Sequence, residues 1–550
     1  MSDGKISRRG MVAILSAGGV AAGGLRLAAG PSKAAPPADA GVAAVRIDDR
    51  APGTAIDPFI YGSNEIGTMD GAEPSVEYDR LAGVTIRRLG GNLMTTYNWR
   101  DNAANSGKDY EHANNAGLLG FLGAPKADWG RPGEVVELFL ANSGKVGAKS
   151  LLTLPLAGYV AADFNGAVPP GEAAPSPRFV AVDWSDKEDL SRGVNIPAFV
   201  KRLVAEHGGA DAGGVRGYYL DNEPGLWPQT HPRIVKSPPT IKGLIEKSLR
   251  AAAVIKKIDP KAWVLGPASW GAPEFLNFQN APDWGDYKSH GTFLAAYLAA
   301  FRAESERKGV RLLDLLDVHW YPQDRRGALY GSENPALAAE ILDAPRSLDE
   351  PGFCEQSWVS DLLGCGSSSG LRLPLLPSLR EIIAENFPGL GLSIGEYNYG
   401  GPGQLSTGLG VADALGRFGR SGVNVAAHWG ALAGWVGEAF RLYRMKDADG
   451  QSFGAQSLPV ESGAGPGLSL FAARGSNGLT DLVAINKTAR PIIFDLRFAS
   501  NRPAALRGTL GFDQIRRQCS FLDEPGDDSD LVLRLTTPEF SARRYVLNSR

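Results

Sequence analysis

From about residue 58 to 430 the chain alternates short apolar runs with longer stretches of helical period. The short runs are rich in β-branched or other apolar residues and lie at 59–62, 84–87, 150–154, 215–220, 263–265, 315–318, 392–394 and 423–426. Amphipathic stretches fall between them at 134–146, 196–207, 241–258, 292–308, 376–387 and 407–418. In the third of these, Ile241, Leu244, Ile245, Ser248, Leu249 and Ala252 share one helical face. Eight strands alternating with helices predict an α/β fold, a (β/α)8 barrel with insertions. After about residue 450 the helical period stops. Strand-length segments at 468–471, 481–485, 492–496, 531–535 and 541–547 recur between Gly, Pro and Asn turns, the pattern of an all-β sandwich. Val45–Asp48 reads as a strand added to that sandwich from the other end of the chain. The expected division is 1–40 export signal and linker, 41–57 N-terminal strand, 58–450 barrel and 451–550 sandwich.

Composition narrows the function classes. The 550 residues include 69 Gly and 37 Pro, a loop-rich balance that still leaves 43% hydrophobic residues for large cores. Charge is nearly balanced, 57 basic against 60 acidic residues, so no global field attracts a polyanion and nucleic acid is not an expected partner. The six His are scattered and the three Cys form no CxxC pair, which removes zinc ribbons and disulfide scaffolds. Cys354 and Cys365, eleven residues apart, could pair in an oxidising compartment, with buried free thiols as the alternative.

The N-terminus reads Ser7-Arg8-Arg9-Gly10-Met11, then an apolar, small-residue run from Val12 to Ala29, then Ser32-Lys33-Ala34. This is the twin-arginine export pattern. Its Ala/Gly-rich core, interrupted by Arg26, is too weak for a stable span of ~20 apolar residues. The expected location is therefore periplasmic or secreted, with no stable membrane association after export and with polymers favoured over small metabolites as substrates.

A barrel of this kind builds its active site at the carboxyl ends of its strands. The fourth predicted strand runs into Leu220-Asp-Asn-Glu-Pro224 and the seventh into Ile394-Gly-Glu-Tyr-Asn398, so Glu223 and Glu396 reach the same mouth. The second ends at Leu89-Gly-Gly-Asn92, the sixth at Val318-His-Trp-Tyr-Pro322 and the eighth at His428-Trp429. Hydrolysis of a glycosidic bond needs one carboxylic acid to protonate the leaving oxygen and one carboxylate to act at the anomeric carbon. Strands four and seven stand three steps apart around the ring, consistent with the roughly 5–5.5 Å carboxyl gap of a retaining, double-displacement enzyme rather than the ~6.5–9.5 Å of an inverting one. Trp99, Trp227, Trp270, Trp320 and Trp429 lie in or just after strand ends, where indole faces suit sugar rings. About half of them are expected to serve packing alone.

Longer motifs add a resemblance. Arg87-Arg-Leu-Gly-Gly-Asn92 with Thr96-Tyr-Asn-Trp99 and Asn105, Leu152-Thr-Leu-Pro-Leu-Ala-Gly-Tyr159, Leu220-Asp-Asn-Glu-Pro224 with Trp227 and Thr230-His-Pro-Arg233, Asp317-Val-His-Trp-Tyr-Pro322, Ala344-Pro-Arg346 and Glu396-Tyr-Asn-Tyr-Gly-Gly401 occur in order. In these the chain resembles glycoside hydrolase family 44, secreted endo-β-1,4-glucanases often active on xyloglucan. The resemblance implies Glu223 as general acid/base and Glu396 as nucleophile, Asn222 on the sugar 2-hydroxyl and Tyr321 orienting Glu396. Asn92, Arg88, His319, Trp99, Trp227, Trp320 and Trp429 complete the implied substrate-binding set, with Arg87 and Trp320 as neighbours that could point inward in place of Arg88 and His319. No cofactor is implied for catalysis. Some relatives bind a structural calcium, but no dense Asp/Asn loop here names its ligands. The chain departs from the family at strand eight, where His428-Trp-Gly-Ala-Leu-Ala-Gly434 replaces a polar, Lys-bearing stretch and bears on the positive subsites. The expected partner is a polysaccharide substrate, and the expected state a monomer. The rival readings are a retaining barrel hydrolase of another β-glycan such as mannan, and a non-catalytic carbohydrate-binding protein.

Overall fold

The structure, a computed structural model, describes residues 42–68, 71–185, 193–366, 370–522 and 531–549. The export-type N-terminus lies outside the described residues. Eight parallel strands close into a barrel: β1 (Gly62–Ser63), β2 (Ile86–Leu89), β3 (Lys149–Leu154), β4 (Gly217–Leu220), β5 (Trp263–Ser269), β6 (Leu315–Trp320), β7 (Gly391–Tyr397) and β8 (Val425–His428), with β8 pairing β1 to complete the ring. Each strand is followed by a major helix: α1 (Glu73–Ala82), α2 (Glu134–Val146), α3 (Ile196–His207), α4 (Ile241–Ile258), α5 (Phe293–Lys308), α6 (Leu375–Asn386), α7 (Leu405–Arg420) and α8 (Gly434–Arg444). Helices outside and side chains inside cover both faces of the strands, so β4 and β6 are buried at every residue; β4 reads as an unbroken apolar run, whereas β6 carries the polar Asp317 and His319.

Local signals set the helices. Thr240 caps α4 by accepting a hydrogen bond from the Gly243 N–H, Thr292 caps α5 by accepting from Ala295, and Asn195 caps α3 by accepting from Ala198. In α4 the predicted stripe is the buried one, Ile241, Leu244, Ile245 and Ser248 continuing through Ala251, Ala252 and Ile255. The first strand departs from expectation. Asp57 accepts a hydrogen bond from the Phe59 N–H and Pro58 opens a 3-10 turn over Pro58–Ile60, so only Gly62–Ser63 pair and the strand end moves to Asn64. The eighth strand likewise lies two residues later than its apolar run indicated.

Apart from three small sheets of two or three short strands in the loops of the barrel, the remaining β-structure among the described residues forms a sandwich of a four-stranded and a seven-stranded sheet. The N-terminal strand Ala43–Ile47 lies in the smaller sheet, parallel to Ile492–Phe498 and antiparallel to Val460–Ser462. Sequence patterning misses the longest strand of the larger sheet, Ala504–Asp513, in which Ala, Gly and Arg dilute the β-propensity and a register shift between Leu506 and Gly508 breaks the alternation. Barrel and sandwich meet along α7. Gly416 faces the Phe471 ring so closely that any side chain there would overlap it. Beside it the buried Asp413 accepts from Arg417, Lys487 and Ser469. Cys354 and Cys365 form a disulfide with 5.8 Å between Cα atoms, and Cys519 is free and buried. Among the described residues no helix is long and apolar enough to cross a membrane.

Candidate active site

The carboxyl ends of β2, β4, β6 and β7 converge on one cluster. Glu396 lies in β7 and is almost fully buried. Its Oε1 accepts from Arg88 Nη1 at 2.6 Å and its Oε2 from the Tyr321 hydroxyl at 2.6 Å, while His319 Nδ1 is 3.5 Å from Oε2. Arg88, not Arg87, therefore enters the barrel. Its other hydrogen bonds go to Asn64 Oδ1 at 3.0 Å and Asn222 Oδ1 at 2.9 Å, and its guanidinium lies 4.4 Å from the centroid of the Tyr219 ring. Arg87, the next residue along an alternating strand, points outward and pairs with Asp79.

Glu223 follows β4 in a left-handed conformation, φ 45 and ψ 55, unusual for a residue with a side chain. Its N–H donates to the Ala268 carbonyl at 3.0 Å, which holds the turn against β5. The side chain keeps 16% of its surface exposed and lies 2.9 Å from His319 Nδ1. One carboxylate oxygen of each glutamate and a ring nitrogen of His319 all fall within 4.8 Å of one another.

The two glutamates have opposite proton affinities. Burial pushes Glu223 up and the charge of Glu396 adds to that, outweighing the His319 contact. Burial also works to raise Glu396, but the charges of His319 and Arg88 and the hydrogen bonds from Tyr321 and Arg88 hold it below the ordinary range. His319 is itself raised: burial disfavours its charge, and the two glutamates more than restore it. Glu223 thus holds its proton more tightly than Glu396, the ordering that acid/base and nucleophilic chemistry require of a pair.

Of the predicted residues, Glu223, Glu396, Arg88, Asn222, His319 and Tyr321 come together. Asn92 stands at the edge, within 3.5 Å of Asn222 and donating to Asp109. Trp429 is partly exposed on the rim, and Gly91, at φ 77, leaves room for its ring: a Cβ there would lie 2.6 Å from Cη2. Of the four tryptophans in the implied substrate-binding set, three need correction. Trp99 is buried and stacked on Phe199 at 5.1 Å, its indole N–H on the Asn195 carbonyl. Trp227 is 2% exposed and donates to the Asn222 carbonyl, so it props the loop of Glu223. Trp320 follows the inward His319 on the strand, faces the other way and is also 2% exposed. None of these three offers an indole face to a ligand.

Residues without an assigned sequence role complete the support. Asn64 donates to the carbonyls of Gly395 and Ala427, locking β1 to β7 and β8 beneath Arg88. It was hidden because the first strand was placed too early. Asp221 accepts from Thr95, Asn222, Ala157 and Leu156, and burial pushes it up to about 6. It stands inside the Asp-Asn-Glu-Pro motif, so the signal was present. Among the described residues one other cluster could hold a metal, Glu137, Glu206 and His207 on α2 and α3. Arg202 reaches both its carboxylates and one donor is an imidazole, which does not match the all-oxygen cage that calcium takes.

The family model of glycoside hydrolase family 44 matches residues 103–324. Endoglucanase A of Paenibacillus lautus is 34% identical over 513 residues, covering 90% of this chain and 71% of that protein. The beta-mannanase/endoglucanase A of Caldicellulosiruptor saccharolyticus is 35% identical over 526 residues, and there the match covers 91% of this chain but only 38% of the relative's length. Among solved structures, a Paenibacillus polymyxa xyloglucanase of the same family, determined with xyloglucan, superposes with a TM-score of 0.82 at 32% identity, covering 92% of this chain and 100% of that one.

Proposed function

The chain belongs to glycoside hydrolase family 44, and we propose that this endo-β-1,4-glucanase cleaves glucan backbones inside the chain by double displacement. Glu396 attacks the anomeric carbon while Glu223 delivers its proton to the departing glycosidic oxygen. Once the glycosyl–enzyme bond forms, the charge on Glu396 is gone and the force that raised Glu223 weakens. Glu223 then takes a proton from the water that attacks the intermediate. Arg88 and Tyr321 hold Glu396 ionised and aimed, and Asn222, itself fixed by Arg88, is the group offered to the sugar 2-hydroxyl. The reaction needs two carboxylates and water and no cofactor.

The observation that carries this reading is a pair of glutamates with one carboxylate oxygen of each within 4.8 Å of the other and with opposed proton affinities. Oxygens that near favour the roughly 5–5.5 Å carboxyl spacing of retaining enzymes over the ~6.5–9.5 Å that an inverting enzyme needs for its water. The proposed substrates are xyloglucan, cellulose derivatives and mixed-linkage glucan, met by a monomer outside the inner membrane after twin-arginine export. Proton NMR of the first product formed from a β-glucan oligosaccharide tests the mechanism. The β-anomer should appear before mutarotation, and an initial α-anomer would overturn the double displacement. Initial rates on glucan, xyloglucan and mannan read the backbone preference, and mannan turnover above that on glucan would replace the glucan assignment.

A further inference from the structure

A third glutamate lies beside the pair. Glu274 follows β5 in a short helix, Ala272–Asn277, and is fully buried. The Ser269 hydroxyl donates to its Oε1 at 3.0 Å and the Trp270 N–H to its Oε2 at 3.3 Å, both from the turn that ends β5. The other face of the carboxyl meets the turn that ends β4. The Gly225 N–H is near enough to favour its charged form, and a Cβ on Gly225 would stand 2.8 Å from Oε2. Gly225 is two residues beyond Glu223. The same two turns meet at one further bond, Glu223 N–H to Ala268 carbonyl, and both ends of that bond are left-handed, φ 45 at Glu223 and φ 56 at Ala268. Such conformations persist only where the surroundings over-determine them.

We propose that Glu274 is a positioning residue for the acid/base glutamate: its carboxyl clamps the Glu223 turn to the β5 turn and so fixes the direction in which Glu223 delivers its proton. This rests on the assignment of Glu223 made above. The chemistry of the clamp fits its place. Burial, reinforced whenever Glu223 is ionised, pushes Glu274 up to about 8, so near neutrality the clamp is uncharged and adds no anion beside the acid. Glu223 is the titratable neighbour whose ionisation acts on Glu274, whereas Glu223 itself also faces His319, Glu396 and Arg88. A neutral glutamine can replace a neutral glutamic acid here. Its carbonyl accepts from Trp270 and faces Gly225, and the Ser269 hydroxyl rotates to accept from its amide.

The test separates positioning from mere folding by the leaving group. For Glu274→Ala, kcat/KM on xyloglucan or barley glucan should fall about 10²-fold, as when general acid catalysis is lost, while kcat/KM on 2,4-dinitrophenyl β-cellobioside, whose leaving group needs no proton, should fall less than about threefold. The alkaline limb of the polysaccharide pH profile should move to lower pH, because a loosened Glu223 is better solvated. Glu274→Gln should restore both readouts. Ser269→Ala, which removes a single donor, should move them in the same direction by a smaller amount and serves if the alanine variant does not fold. Equal losses on both substrates with an unmoved alkaline limb would overturn the clamp. Glu223→Ala is the control: if it too lost activity equally on both substrates, the acid assignment itself would fall, whereas leaving-group dependence in Glu223→Ala without it in the Glu274 and Ser269 variants would refute only the role of Glu274.

Discussion

Glu396 and Asp413 are both carboxylates taken out of water and held by cations, and they serve different ends. Asp413 accepts from Arg417 at 2.8 Å and Lys487 at 3.0 Å, and Arg417 goes on to Asp349 and Glu350. Burial works to raise it, and the charges of Arg417 and Lys487 hold it far below the ordinary range. Glu396 is also held low, by His319, Arg88 and Tyr321. A depressed proton affinity in the interior therefore does not mark a reactive site. The neighbour does. Asp413 has only cations and a serine hydroxyl on its oxygens, while Glu396 faces a second carboxyl whose affinity is displaced the other way. One cluster is closed, tying α7 to the sandwich, and the other leaves the Glu223 side chain 16% exposed.

Substitution breaks the two clusters in different currencies. Glu396→Gln should lower kcat on a soluble β-glucan by on the order of 10⁴-fold or more, with the thermal midpoint moved little, since the amide carbonyl can still accept from Arg88 while the amide N–H donates to the Tyr321 hydroxyl, which rotates to accept it. Wild-type turnover in that variant would remove Glu396 as nucleophile. Asp413→Ala should do the reverse. Arg417 and Lys487 would lose their shared buried partner, a loss of about 3–5 kcal/mol when one member of a buried pair is removed, read as a lower thermal midpoint with kcat at 25 °C within about twofold of wild type. The sign with pH follows from the depressed affinity. The contribution of Asp413 is complete above the unfolded carboxylate range, about 4, and drains away as pH falls through the folded value, so the variant should show a shallower loss of stability on acidification. A steep acid dependence equal to that of wild type would show that the cluster contributes nothing.

The same contrast explains what could be read from the sequence. The barrel was legible because parallel strands and amphipathic helices each follow a regular hydrophobic pattern, and Glu223 and Glu396 were legible because each directly follows an apolar run. The tryptophans misled for a reason of geometry. Position after a strand end places a residue near the mouth but does not fix the face it presents, and on β6 inward His319 forces Trp320 outward. Arg88 over Arg87 turned on the same single-residue alternation, which no apolar pattern resolves when both neighbours are arginine. Asp413 was invisible because its partners come from the next turn of its own helix and from Ser469 and Lys487 of the sandwich, 56 and 74 residues on. Glu274 carried no signal for a similar reason: its meaning depends on two turns meeting in space.

The smallest expected effect is the most discriminating for the reactive cluster. Tyr321 gives Glu396 one of its hydrogen bonds and contributes to holding it low. Tyr321→Phe removes that hydroxyl and leaves Arg88 and His319 in place. A hydrogen bond to a charged group contributes about 1.5–3 kcal/mol, so kcat should fall by roughly 10–100-fold, well short of the loss in Glu396→Gln. With one lowering influence gone, the proton affinity of Glu396 rises, and the acid limb of the kcat/KM profile should shift to higher pH. The alkaline limb, which belongs to Glu223, should stay where it is. In the Glu274 variants the pattern is inverted, with the alkaline limb moving and the acid limb fixed. If Tyr321→Phe moved the alkaline limb instead, the two glutamates would have exchanged roles, and the low carboxylate of the pair would be the one on β4.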